Sequence, residues 1–277
     1  MRIVKKITGI FLIVVGLGFY AYPWVTTEYI THQTTEYIRE FEAKWENTTK
    51  EDAVYAKVQR YNRKIYASGQ TGFCDAWSYQ QSPVSLDGFQ DDKFGYITIP
   101  AMDVKLPLYL GASSENLRKG AAVLGQTSVP IGGRNTNSVI AGHRGYQGIP
   151  FFREIERLKA GDKVKIRNPW ETLTYTVTST AVIDPHNNDA VMIREGQDMV
   201  TLITCHPYRS HGKYRYVVYC TRKGKKSKKI PVVDTSEQIS FRSSQADIER
   251  DKHFRVIGLC IIAVMFLYLI LIKKKRR

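Results

Sequence analysis

From Phe94 onward, short runs of β-branched, aromatic and other apolar residues are broken by Gly, Pro and Asn: GYITIP, VKLPLYL, NSVIAGH, DKVKIRN, TLTYTVTSTAVI, MVTLITC and YRYVVYC. Strand-like runs bounded by turn formers, repeated at this spacing, predict a mainly β domain, a barrel or a sandwich. One helical insert is predicted at FFREIERLKAGD (151–162), with Gly161 as its stop. Ahead of the β region the period changes. Ile38, Phe41 and Trp45, then Val54, Val58, Tyr61 and Ile65, recur at steps of three and four. That spacing predicts one or two amphipathic helices packed on the main domain. The stretch TGFCDAWSYQQSPVSLDGFQ (71–90) has no regular apolar spacing and reads as a long loop, a kind of segment that is usually functional or disordered.

Two further apolar runs flank everything else, ITGIFLIVVGLGFYAYPWV (7–25) and VIGLCIIAVMFLYLILI (256–272). Each is about long enough for a helix to cross a hydrocarbon core of roughly 30 Å. No small-residue cleavage site follows the first, and Tyr20, Tyr22 and Trp24 resemble an interfacial aromatic belt, so the reading is an uncleaved anchor. Basic clusters lie outside both runs, which puts both termini in the cytoplasm and residues 26–255 outside the cell.

Charge then changes the picture by its placement. The formal net charge is +15, yet the N-terminal tip, the tract 222–229 and the last five residues carry 14 of these charges. The rest of the chain is nearly neutral, which argues against a basic nucleic-acid-binding face. The tract 222–229 reads as the solvated start of a basic, polar linker. Of the four cysteines, Cys260 lies within an apolar run and Cys74, Cys205 and Cys220 make an odd number, so no dense disulfide framework is implied.

Cys205 closes the run TLITC and is either a core thiol or a nucleophile at a strand end. A nucleophilic cysteine needs a base or cation nearby. Among six histidines, His206 would point to the opposite strand face from Cys205, whereas His143 ends SVIAGH where a strand opens into a loop. Arg215 lies inside the next β run between two tyrosines. It either snorkels to solvent or offers its planar fork to a carbonyl or oxyanion.

Taken together, GYITIPAMDVKLPLYLGASSENLRKGAA, NSVIAGHRG, TLITC and RYVVY, in this order over about 91–221, resemble the sortases. The resemblance implies a sortase-type closed β-barrel with short helices, and roles for Cys205 as nucleophile, His143 as acid–base and Arg215 as oxyanion partner. HPYRSHGKY contains Gly212 and lacks the asparagine often found there, which keeps Arg209 as an alternative arginine. The likeness is closest to class C, the pilin polymerases, because of the second apolar run and an Asp-x-aromatic lid. Here the lid reads Asp75-Ala76-Trp77 where Asp-Pro-aromatic is usual, so it lacks a fixed φ. By the same likeness Asp75 pairs with Arg215 and Trp77 covers Cys205.

The implied organisation is a tip and anchor (1–25), a helical extension (26–70), a lid loop (71–90), the catalytic barrel (91–221), a basic and polar linker (222–253), and a second span with its basic tail (254–277). The implied reaction cleaves a Leu-Pro-x-Thr-Gly-like sorting signal through a thioacyl enzyme and joins it to a pilin lysine, with no cofactor. The alternatives are a housekeeping sortase with a cell-wall peptide acceptor, and a non-catalytic scaffold for pilus assembly.

Overall fold

The computed structural model describes residues 2–46, 48–71, 82, 84, 93–146, 149–209, 212–222, 243–254, 256–258, 260 and 262. The chain divides into two units, Met1–Ser240 and Phe241–Arg277. In the second, residues 245–254 are helical and carry the ion pairs Arg250–Asp247 (2.7 Å) and Lys252–Glu249 (2.8 Å).

In the first unit, eight strands close into a barrel: β1 (Lys93–Ile99), β2 (Val104–Leu110), β3 (Ala121–Val123), β4 (Thr136–Ala141), β5 (Lys163–Arg167), β6 (Thr172–Ile183), β7 (Asp198–His206) and β8 (Tyr214–Thr221). Their order around the barrel is β1-β2-β3-β4-β7-β8-β6-β5. Closure removes the edge strands of an open sheet. Because side chains alternate between faces, one set fills the interior: Ile97, Ile99, Leu108, Ile140, Ile166, Tyr175, Val200, Leu202 and Val218 belong to a single buried cluster. A second cluster lies on the other face of the same wall and includes Val139, Met199, Ile203, Val217 and Tyr219 with Ala190 and Val191. Strands buried on both faces explain why TLITC and RYVVY read as almost unbroken apolar runs.

Two helices brace the barrel. In α1 (Arg2–Trp45), Ile38 and Phe41 are buried, Tyr37 donates to the Gly95 carbonyl (3.0 Å), and Glu42 accepts from Tyr96 (2.6 Å) and Arg167 (3.2 Å). α2 (Ala53–Ala67) starts at Asp52, whose carboxylate caps the Val54 amide, and buries Val58, Asn62 and Ile65. Asn62 is the polar member of that face. Its amide nitrogen donates to the Val129 carbonyl and its oxygen accepts from the Val129 amide, both at 2.9 Å. α1 takes in the run 7–25 as helix, although Pro23 lies inside it. Among the described residues no helix is long and apolar enough to cross a membrane. Most of the second run, from residue 263 on, lies outside them.

Two features depart from the sequence expectations. A short helix, α3 (Ser114–Lys119), and the three-residue strand β3 follow β2, where the polar SSENLRKG gives little apolar signal. Residues 151–162 form turns and a 3-10 helix of only three residues, Ile155–Arg157, in place of the predicted helix. Phe151 has φ 41°, outside helical dihedrals, and the Phe152 amide bonds to the His143 carbonyl (2.9 Å). Phe151, Phe152, Ile155 and Leu158 are all buried, so the helix-like spacing serves a tight turn packed on the barrel.

Replacing Asn62 with Leu leaves the Val129 amide buried without a partner and its carbonyl with the Ile131 amide alone (2.8 Å). A loss of about 1–3 kcal/mol in unfolding free energy is expected, measured as a lower urea midpoint. An unchanged midpoint would show that the clamp does not hold α2.

Candidate active site

β4, β7 and β8 are neighbours, and their register brings three chemistry-bearing side chains to one end of the barrel. β4 and β7 run parallel, with Ala141 opposite Ile203. The Gly142 amide donates to the Ile203 carbonyl (3.2 Å), and the Thr204 hydroxyl donates to the Gly142 carbonyl (2.6 Å). Two residues further along each chain stand His143 and Cys205, on the same faces as Ala141 and Ile203. β7 and β8 are antiparallel, with Cys205 directly opposite Arg215. Directly opposed residues on one sheet face have Cβ atoms about 4.5–5.5 Å apart. His143, Cys205 and Arg215 are thus brought together, each half-buried.

Local packing sets each group. The His143 ring stacks on Tyr146 (centroids 4.7 Å apart, 17° between planes) and meets Phe151 edge-on at 6.0 Å. Gly142 allows the backbone to pass Phe152, because an added Cβ would lie 2.8 Å from that ring. Burial, and secondarily the positive charge of Arg118, lower the His143 pKa below its ordinary value of 6.5. Arg118 belongs to α3, an element the apolar pattern had not revealed.

The Arg215 guanidinium donates through Nη1 to the Gly212 (2.7 Å) and Tyr214 (3.2 Å) carbonyls. Nε and Nη2 have no hydrogen-bond partner among the described residues, so these donors can meet a developing oxyanion. Gly212 has φ 84°, and a Cβ there would lie 2.8 Å from Arg215 Nη1 and 3.1 Å from Cys205 Sγ. A glycine at 212 therefore keeps open the gap between guanidinium and thiol. Its positive φ is also the conformation that glycine adopts without strain.

Arg209 is exposed on the connecting loop over the Tyr208 ring (5.3 Å), whereas Arg215 faces the thiol. His206 is fully buried on the face opposite Cys205, as alternation requires. Cys205 and Cys220 are both free thiols. Cys220 is buried in the barrel interior, where desolvation pushes its thiol pKa well above the usual value. A thiol held protonated there is a core residue. The lid residues Asp75 and Trp77, and Cys74 beside them, lie outside the described residues. Among the described residues no group of three or more His, Cys, Asp or Glu side chains could hold a metal ion.

A closed β-barrel that presents an accessible thiol, an imidazole and a guanidinium at one level has the groups for acyl transfer through a cysteine. Known proteins agree with that class. A family model, the Sortase domain, matches residues 97–223. Sortase A of Bacillus anthracis is 32% identical over 178 residues, covering 62% of this chain and 81% of the relative. Sortase C from Clostridium perfringens SM101 aligns in structure with a TM-score of 0.57 at 32% identity, covering 68% of this chain and 99% of the other. The sortase C structure from Streptococcus pneumoniae aligns with a TM-score of 0.56 at 30% identity, covering 68% and 97%. The chain belongs to the sortase family. It is a sortase-type cysteine transpeptidase, and its solved relatives put it in class C.

Because Arg118 disfavours the imidazolium, Arg118→Gln is expected to move the His143 titration midpoint upward, as followed by imidazole NMR. A midpoint that stays put or falls would remove Arg118 as a cause.

Proposed function

We propose that the protein cleaves a Leu-Pro-x-Thr-Gly-like sorting signal between Thr and Gly and transfers the Thr acyl group to a lysine amine of a pilin subunit. The observation that carries this reading is Cys205 set opposite Arg215 and level with His143. Its pilus context rests on the relatives: the pneumococcal sortase C structure concerns pilin substrate specificity, and the C. perfringens enzyme is also known with a C-terminal cell wall sorting motif.

In this mechanism Cys205 Sγ attacks the Thr carbonyl carbon as its proton passes to His143. The lowered pKa keeps His143 neutral at neutral pH and therefore able to accept that proton. The carbonyl oxygen becomes an oxyanion opposite the Arg215 fork. Collapse breaks the Thr–Gly bond, His143 gives the proton to the departing amine, and a thioacyl enzyme remains. The lysine amine then attacks that thioester, loses a proton to His143 and releases the thiol, forming an isopeptide bond.

The apolar runs 7–25 and 256–272, each flanked by cations, support a two-span anchor with both termini cytoplasmic and the barrel outside the cell. This topology brings the barrel to membrane-held substrates. The assignment to class C favours the pilin acceptor over the cell-wall peptide of a housekeeping enzyme, and the site chemistry favours catalysis over a scaffold role.

Incubation with a sorting-signal peptide is expected to add the acyl mass to Cys205, read by intact mass and peptide mapping. Cys205→Ala should abolish the adduct while Cys220→Ala retains it; an adduct on the Cys205→Ala protein would refute the assignment. Arg215→Lys is expected to lose most turnover, because an ammonium replaces a planar fork with a point charge. An active Arg215→Lys enzyme beside an inactive Arg209→Ala enzyme would move the role to Arg209.

A further inference from the structure

Each of the three site residues is followed in sequence by a side chain that passes through to the barrel interior: Arg144 after His143, His206 after Cys205, and Tyr216 after Arg215. All three converge around Glu156, which the segment 151–158 carries into the barrel. Glu156 Oε1 lies 2.5 Å from Arg144 Nη2 and 3.4 Å from His206 Nδ1. The side chains are almost sealed from water, with exposures of 4% for Arg144, 4% for Glu156 and 0% for His206. The Arg144 guanidinium lies over the Tyr216 ring (5.6 Å), and the His206 ring stands 5.7 Å from the same ring. Arg144 Nε also donates to the Arg153 carbonyl (3.1 Å), on the segment whose Phe151 and Phe152 pack against His143 and Gly142. Nearby, Arg153 pairs with Glu154 at 3.4 Å.

Barrel stability alone does not account for charges in this position. Withdrawing a carboxylate and a guanidinium from water costs several kcal/mol per ion, and apolar side chains of similar volume often hold a core as well or better. A charged network supplies what an apolar plug lacks, namely short directional bonds that define distance and angle. Here the Arg144–Glu156 bond ends one residue from His143, and the Glu156 contact with His206 ends one residue from Cys205.

We propose that Glu156, Arg144 and His206 are positioning residues for the transpeptidation site. Through its hydrogen-bonded ion pair with Arg144 and its 3.4 Å approach to His206 Nδ1, Glu156 sets the height and tilt of His143 and Cys205 from behind the sheet. The Arg144 stack on Tyr216 extends the constraint to β8 and Arg215. The inference rests on the reading that His143, Cys205 and Arg215 carry the reaction.

The test uses the full chain and a Leu-Pro-x-Thr-Gly peptide, with thioacyl formation by the wild type measured first. No adduct on Cys205 of the wild type would refute the catalytic reading itself. Given that adduct, Glu156→Gln is expected to lower kcat on the order of 100-fold, the scale of a misplacement near 1 Å, with KM little changed. The His143 imidazole titration and the pH profile should shift with it, and Glu156→Asp should recover part of kcat. If Glu156→Gln melts below the assay temperature, Arg144→Met combined with Glu156→Met removes both ions together and is expected to fold while remaining slow. Wild-type kcat and pH profile in either folded variant, or a loss that disappears well below the melting temperature, would reduce the network to a structural role and overturn the inference.

Discussion

The register among β4, β7 and β8 is the constraint from which the site follows. A pleated strand sends successive side chains to opposite faces, and a one-residue slip exchanges the whole buried set for the other face. In β7, Leu202 and Thr204 face the interior while Ile203 and Cys205 face outward, and each face is packed: Leu202 in the barrel core, Ile203 in the second cluster. A slip would bury Cys205 and turn His206 out, so both cores defend the register that sets Cys205 opposite Arg215. The short bonds from Gly142 to Ile203 and from Thr204 to Gly142 hold β4 to the same level.

Closure of the barrel explains why one end can carry chemistry while the rest stays rigid. Strands joined on both sides have their backbone groups paired, so strand ends and the loops beyond them are left free to vary. His143 leaves the end of β4 into a turn whose return brings Phe151 edge-on to its ring and lays Phe152 against Gly142, with the Phe152 amide bonded to the His143 carbonyl. Gly142 makes that approach possible. At the β7–β8 connection Gly212 performs a related task, since any side chain there would enter the space between guanidinium and thiol.

Two cysteines on this one strand pair show how environment decides chemistry. Cys220 is sealed in the interior and held protonated by desolvation, whereas Cys205 is half-buried beside a cation. His143 is shaped the same way: burial and Arg118 both disfavour its charged form, so the ring is available as a base at neutral pH.

The sequence by itself determined the strand-rich character of residues 94–221 and the two bracing helices, because period-two and period-3.6 burial leave direct marks in the spacing of apolar residues. It also marked Cys205, His143 and Arg215, through the strand-end positions of the first two, the unusual charge inside a β run, and the motifs of the resembled family. The three-residue β3 and the six-residue α3 carried too few apolar positions to stand out, so Arg118 was invisible as a neighbour of His143. The spacing at 151–158 pointed to a helix and became a turn, because Phe151 and the bond from Phe152 to His143 answer to tertiary packing and not to local propensity. Glu156 gave no signal at all, since its partners Arg144 and His206 stand 12 and 50 residues further off along the chain. Only the fold of the β4–β5 connection back onto β7 brings those segments together, and that is why the groups behind the site had to be read from the fold.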